Sequence, residues 1–292
     1  MQQFTKPNQI LLLMNIKSIK LSILFLLMFL AFQVHAQDGL PQGWKIGSQA
    51  YTFRLFSLEE TLEKLNSIGV KYVELYPGQK ISKSGDATTD FMNITATDKA
   101  KIKSLLKKYA IEPVGYGVVN ASDEDLPKLF DFAKEMGIGI LTSEAKPNQF
   151  DQIEKLCEEY QIKIALHNHP LPNYYWHPEV AVRLLDGRSD LMGVCADIGH
   201  WVRSGLDPVN CLKMLEGRVI SLHIKDLNKF GIREAHDLPW GTGTSNVAGV
   251  IHELHRQGFQ GSFSAEYEHN WENNLPDVKE SIDYFMRVAA QL

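Results

Sequence analysis

Carboxylate and imidazole side chains stand directly after short apolar runs at several places in this sequence of 292 residues. Surface charge is usually spread along helices instead, so the repeated position indicates a shared function. The candidate residues are Glu74, Glu144, His167, His169, Asp197, His200, His223, Asp226, Glu266 and Glu268, with Lys225 between two of them.

Four of these side chains could surround one cation. Glu144, Asp197, His223 and Glu266 follow four different apolar runs and offer three carboxylates and one neutral imidazole. Such oxygen-rich ligation with a single nitrogen suits Mn²⁺, Mg²⁺ or Co²⁺ better than a structural zinc site, which prefers thiolate and imidazole. The sequence therefore predicts a divalent-cation site, with Mn²⁺ as the first expectation and Zn²⁺ as a further option. A cation held in this way can polarise a hydroxyl or carbonyl oxygen of a neutral sugar.

The apolar runs that precede these side chains predict eight β-strands. Several are apolar throughout, as strands buried on both faces must be. The predicted strands are Trp44–Ala50, Lys71–Leu75, Glu112–Gly117, Ile138–Thr142, Lys163–His167, Met192–Asp197, Val219–Ile224 and Ser262–Glu266. Helical patterns lie between them. Ser57-x-x-Glu60 and Ser122-x-x-Asp125 predict capping boxes, and Asp207 places a cap residue before a proline.

Eight strand–helix units without a linker predict a single (β/α)8 barrel, an α/β TIM barrel, over residues 37–292. A doubly wound open sheet is the alternative. It would normally have fewer strands and a glycine-rich phosphate turn after the first one, whereas residues 48–53 contain no such turn. In a barrel, the carboxyl ends of the strands meet at one rim, so the candidate side chains are expected to converge there.

The N-terminus has the order of a secretory signal peptide. Lys17 and Lys20 precede the 12-residue apolar run Leu21–Phe32, and Val34-His35-Ala36 offers a cleavage site of small residues. The run is too short to cross a bilayer comfortably. We therefore predict a signal peptide over residues 1–36, export to the periplasm or the medium, and no stable membrane association after cleavage. The alternative interpretation, in which this segment is a membrane anchor that is never removed, stays open.

Composition and charge exclude several classes of protein. The chain is 44% hydrophobic and 22% charged, which is typical of a globular protein rather than a disordered one. Its formal net charge of −5 indicates no nucleic-acid partner. Three cysteines do not make a disulfide framework. The expected partner is a small sugar, and a homo-oligomer stays open.

The motifs and their order resemble the xylose isomerase-like TIM-barrel superfamily, which includes ketose 3-epimerases, hydroxypyruvate isomerase-like proteins, inosose dehydratases and endonuclease IV. The motifs that carry the resemblance are Val73–Tyr76, Leu166–His169, Asp197–His200, His223–Asp226 and Pro239–Gly243. Together they cover the predicted barrel, and they are specific to the superfamily but not to one reaction.

The resemblance implies a role for each candidate residue. It assigns Glu144, Asp197, His223 and Glu266 to the metal, with Glu144 and Glu266 also acting as acid and base on opposite faces of the substrate. It implies that the substrate-binding residues are Glu74, His167, His169, His200 and Lys225. We further expect aromatic side chains to wall the pocket, namely Tyr51, Phe53, Trp201 and Trp240, and we expect Trp240 to bind substrate as well. The early strands lack the extra histidines of a three-metal phosphodiesterase such as endonuclease IV.

Three functions fit these residues. The first is a metal-dependent sugar isomerase or epimerase, which moves a proton next to a carbonyl through an enediolate intermediate. The second is a lyase or dehydratase, in which the same intermediate expels a leaving group or a 3-keto-glycoside is cleaved. The third is a non-catalytic sugar-binding barrel. Because an exported protein would rarely meet sugar phosphates, we expect an unphosphorylated sugar.

Overall fold

The structure, a computed structural model, describes residues 39–292, and these form a closed barrel of eight parallel strands. The barrel strands are β1 (Lys45–Gln49), β2 (Tyr72–Leu75), β3 (Glu112–Tyr116), β4 (Ile140–Ser143), β5 (Lys163–His167), β6 (Met192–Asp197), β7 (Val219–Ile224) and β10 (Ser262–Ala265). Around the barrel they follow the order β1, β10, β7, β6, β5, β4, β3, β2. The predicted (β/α)8 barrel is thus confirmed. The predicted signal peptide at residues 1–36 lies outside the described residues.

Nine α-helices accompany the strands in residues 39–292. They are α1 (Leu58–Ser67), α2 (Ala96–Tyr109), α3 (Leu126–Met136), α4 (Phe150–Tyr160), α5 (Pro178–Leu185), α6 (Ile198–Arg203), α7 (Pro208–Met214), α8 (Val247–Arg256) and α9 (Leu275–Ala289). Short 3-10 helices cover Ala50–Phe53 and Pro147–Gln149. Within the described part of the chain, none of these helices has the length and apolarity needed to cross a bilayer.

The predicted helix starts are confirmed at α1 and α7. Ser57 accepts the Glu60 backbone N–H at 3.3 Å, and the Glu60 carboxylate accepts the Ser57 backbone N–H at 3.0 Å. Asp207 caps α7, which begins with a proline. Ser122 and Asp125 also bond to each other, but they close a turn before α3, and Asp125 makes no side-chain cap bond. The pattern therefore predicted the site of the turn and placed the helix start one turn too early.

A second, two-stranded sheet follows β7 and was not predicted. It pairs β8 (Asp226–Leu227) with β9 (Asp237–Leu238) in antiparallel fashion. The buried Asp226 carboxylate accepts the backbone N–H groups of Gly241, Gly243 and Ser245 at 2.8 to 2.9 Å. A Cβ atom on Gly243 would lie 2.4 Å from Asp226 Oδ1, so this close approach requires glycine. The motif around Pro239–Gly243 therefore fixes the loop that follows β7.

Candidate metal centre and adjacent cup

Four buried side chains from neighbouring strands meet at the carboxyl ends of the barrel. His167 ends β5, Asp197 ends β6, His223 lies in β7, and Glu266 directly follows β10. One potential ligand atom from each lies within 4.8 Å of the others. All four side chains are buried, with at most 6% of any residue exposed. We call this set the metal group.

The donor atoms of the metal group fit a divalent cation. Both ring nitrogens of His167 and Nδ1 of His223 are buried and have no hydrogen-bond partner within residues 39–292. His223 Nδ1 lies 3.0 Å from Glu266 Oε2, but the two atoms are not in hydrogen-bond geometry. Buried polar atoms are rarely left unpaired, and lone pairs on such nitrogens are what a cation binds. Two imidazoles with two carboxylates suit Mn²⁺, Co²⁺ or Zn²⁺, and Mg²⁺ less well.

Glu74 contacts the Nε2 side of the His223 ring. Its carboxylate is 2.9 Å from His223 Nε2 and accepts hydrogen bonds from Thr142 and Ser264 at 2.6 and 3.0 Å. Burial by itself raises the pKa of Glu74, but His223 and these hydrogen bonds lower it below its ordinary value. An ionised Glu74 therefore holds the hydrogen of His223 at Nε2 and turns Nδ1 toward Glu266.

Lys225 brings a positive charge into the same space. Its buried ammonium lies 2.5 Å from Asp197 Oδ2, contacts Glu266 Oε2, and lies 3.4 Å from Glu268 Oε2. Burial lowers the pKa of Lys225, but Asp197 and Glu266 raise it well above its ordinary value. A cation held by these two carboxylates would share their oxygens with Lys225.

Glu144 is not brought into the metal group. It follows β4 by one residue and forms a second group with His167 and His169. His169 Nδ1 lies 2.8 Å from Glu144 Oε1, and Asn173 donates to the same oxygen at 2.7 Å. Three predicted ligands thus converge, and His167 stands where the fourth was expected. Ligation by Glu144 stays a prediction.

A cavity of about 310 Å³ opens beside the metal group, and we call it the cup. Its lining residues are Gln49, Tyr51, Tyr76, Pro77, Gly117, Val118, His167, His169, His200, Lys225, Glu266 and Glu268. Four of the residues predicted to bind substrate are therefore at the cup, namely His167, His169, His200 and Lys225. Glu74 and Trp240 are not among the lining residues.

The predicted aromatic wall is present only in part. Tyr51 lines the cup and packs edge-on against Tyr76 and Trp271, with ring centroids 5.2 and 5.9 Å apart. Trp240 is instead 2% exposed and packs against Phe285 of α9, because the Asp226 contacts fold its loop onto that helix. Phe53 and Trp201 are also buried core residues. Tyr76 ends the Val73–Tyr76 motif, but it was not predicted to line the cup, and Trp271 was not singled out at all because it lies in a loop without periodicity.

Known proteins share this sequence pattern and fold. A sequence model described as xylose isomerase-like TIM barrel matches residues 62–288. A curated protein, the uncharacterized protein y4fM of Sinorhizobium fredii, is 33% identical over 92 residues, which are 31% of this chain. The match spans 29% of that protein's length.

Solved structures match over most of the barrel. An uncharacterized protein from Parabacteroides distasonis is 36% identical, with a TM-score of 0.69 over 84% of this chain and 99% of that one. D-allulose 3-epimerase from Methylomonas sp. is 16% identical, with a TM-score of 0.67 over 86% and 99%. A xylose isomerase-like TIM barrel protein from Mycobacterium smegmatis, solved with magnesium, is 15% identical, with a TM-score of 0.67 over 85% and 97%. The last two likenesses show a shared fold alone.

Proposed function

Because the chain belongs to the xylose isomerase-like TIM barrel family, we propose that it is a divalent-metal-dependent sugar isomerase or epimerase. It would move a proton next to a carbonyl group of an unphosphorylated sugar. The proposal includes export to the periplasm or the medium, where free sugars rather than sugar phosphates are met.

The metal group beside the cup is the observation that carries this proposal. It combines two imidazoles that have ring nitrogens without a hydrogen-bond partner and two carboxylates, at the carboxyl end of the barrel, where the active sites of such barrels lie. A divalent cation bound there supplies positive charge next to the substrate oxygens on which negative charge develops. The epimerase and the magnesium-bound protein among the structural neighbours are consistent with this reaction and this cofactor.

The two proton transfers are assigned to residues in the cup and next to it. Glu266 is held ionised, since Lys225 and His223 lower its pKa against the effect of burial, and it is proposed as the base. Burial lowers the pKa of His169, but Glu144 raises it above its ordinary value, so His169 can carry a proton. We assign the second proton transfer to Glu144 acting through His169. Tyr51 lines the cup and would help to exclude water from a bound substrate.

The decisive experiment follows exchange of the substrate proton with deuterated solvent in saturating Mn²⁺. Ketohexoses are the first substrates, and 3-keto-glycosides are tested in parallel. Glu266→Gln keeps the size of the side chain and removes its basic charge, so we expect exchange to fall by roughly 10² to 10⁴. Glu272→Gln, an exposed position in the loop after β10, is the matched control.

Two outcomes would redirect the proposal. Normal exchange in Glu266→Gln would remove Glu266 from the mechanism. Release of water or of an aglycone, without interconversion of ketoses, would identify the lyase alternative. Saturating metal is necessary because the substitution also makes one anionic ligand neutral.

A further inference from the structure

Arg203, the last residue of α6, lies in a polar network behind the cup. Its side chain is 11% exposed and makes four contacts through its nitrogens. Nη1 lies 3.1 Å from His200 Nδ1 and 3.5 Å from Glu268 Oε2. Nη2 lies 3.4 Å from Asp237 Oδ2, and Nε donates to the Ala235 carbonyl at 3.2 Å. Arg203 is therefore held from three sides while one nitrogen faces the imidazole.

The contact with Arg203 determines where the hydrogen of His200 lies. A guanidinium can only donate hydrogen bonds, and it stays protonated in proteins. The Nδ1 atom of His200 must therefore be the acceptor and carry a lone pair. A neutral imidazole has one hydrogen, which is then on Nε2.

The Nε2 atom of His200 lies on the side of the ring that is next to the metal group. His200 lines the cup, and its Nε2 lies 3.5 Å from Asp197 Oδ2. That separation is beyond the range of a good N–H···O bond. The Nε2 hydrogen is thus left for an oxygen atom of a molecule in the cup.

We propose that Arg203 is a positioning residue that fixes His200 as the Nε2–H tautomer, so that His200 donates a hydrogen bond in the cup and does not act as a base there. Asp237 and Glu268 orient Arg203 for this task. The identity of the accepting oxygen rests on the proposed sugar function, whereas the tautomer does not.

The tautomer is measured by NMR of the protein with ¹⁵N-labelled histidine, without metal or substrate. His200 is assigned from the signals that disappear in His200→Gln. We expect a pyridine-like Nδ1 and a pyrrole-like Nε2 for His200 in the wild-type protein. A pyrrole-like Nδ1 would overturn the proposal, whatever the protein catalyses. A failure of the sugar assay alone would leave this result standing and count only against the proposed function.

Variants test whether Arg203 is the cause. Arg203→Leu should lose the single tautomer, and Arg203→Lys, which still donates, should retain it. Arg183→Leu, on an exposed position of α5, should give the wild-type spectrum. An unchanged His200 tautomer in folded Arg203→Leu would overturn the positioning role. If Arg203→Leu does not fold, the comparison of wild type with Arg203→Lys still decides, since a different tautomer in Arg203→Lys contradicts the donor argument.

For a ketose that turns over, we expect kcat/KM to fall about tenfold in Arg203→Leu, the effect of one hydrogen bond.

Discussion

Lys225 neutralises two carboxylates that would otherwise repel each other in a buried space. Asp197 and Glu266 both contact its ammonium, and both have pKa values held low by nearby positive groups despite burial. A buried charge that loses its partner is costly, whereas a second cation can take the partner's place. The metal-free protein and the metal-loaded protein are therefore expected to depend on Lys225 in opposite ways.

We predict that Lys225→Met lowers the free energy of unfolding in EDTA by about 3 to 5 kcal/mol, because Asp197 and Glu266 lose their counter-charge. Added Mn²⁺ should stabilise this variant more than it stabilises the wild type. Thermal unfolding with and without Mn²⁺ measures both effects. Lys229→Met, exposed in the same segment, is the control. An equal or smaller effect of Mn²⁺ on Lys225→Met would contradict the shared-oxygen argument.

Glu74 determines how His223 presents its nitrogen to a cation. We predict that Glu74→Gln weakens Mn²⁺ binding by about 10- to 100-fold, the usual effect of losing the partner of a metal-binding histidine. Titration calorimetry measures the change, and Glu112→Gln at the exposed start of β3 is the control. Unchanged affinity would show that Glu74 does not position His223 for a cation.

The same histidine gives metal binding a pH dependence. Burial lowers the pKa of His223, but Cys195, Glu74 and Glu266 raise it well above its ordinary value. Only a neutral imidazole binds a metal, so the proton must leave first. The wild-type affinity for Mn²⁺ in that titration should therefore rise with pH, and it should fall as His223 becomes protonated.

At the scale of elements, the loop after β7 depends on one carboxylate. We predict that Asp226→Ala lowers the free energy of unfolding by about 3 kcal/mol, because backbone N–H groups of Gly241, Gly243 and Ser245 lose a charged acceptor. Denaturant unfolding tests this, with Asp190→Ala on the surface as the control. A change below 0.5 kcal/mol, roughly the range for surface substitutions, would show that the loop is held by other contacts.

The barrel strands could be predicted because short β-rich runs, several of them apolar throughout, alternate with helical patterns along the chain. The bounds at β5, β6 and β7 agree at every residue, and the others differ by at most two. The two-residue strands β8 and β9 carry no periodicity, so no pattern could identify them. The orientation of Glu144 is set by His169 and Asn173, which lie about one strand–helix unit away. Such contacts decide which side chains converge, and local sequence does not encode them.

At the scale of the whole molecule, one buried acid makes stability depend on pH. Burial raises the pKa of Asp237 to about 7, although Lys225 and Arg203 act in the opposite direction. The folded state therefore binds this proton more tightly than the unfolded state, whose pKa is about 4. The contribution to stability is complete below that pH and is lost as the pH rises toward 7.

We predict that the free energy of unfolding of the wild type falls relative to that of Asp237→Asn between about pH 4 and pH 7, by up to about 4 kcal/mol. Urea unfolding at several pH values measures the difference, and Asp86→Asn, at an exposed carboxylate, is the control. A difference that is constant with pH would mean that Asp237 is ionised throughout this range.

The four strands associated with the metal group, β5, β6, β7 and β10, are consecutive around the barrel. Tyr51, Tyr76 and Val118 of the cup follow β1, β2 and β3 on the other arc. The metal group and the aromatic side chains of the cup thus lie on opposite arcs, whereas the polar cup residues His169, His200 and Lys225 follow strands of the metal group. Substitutions in the loops after β1, β2 and β3 are therefore expected to change which small molecules the cup accepts, without changing the affinity of the metal group for a cation.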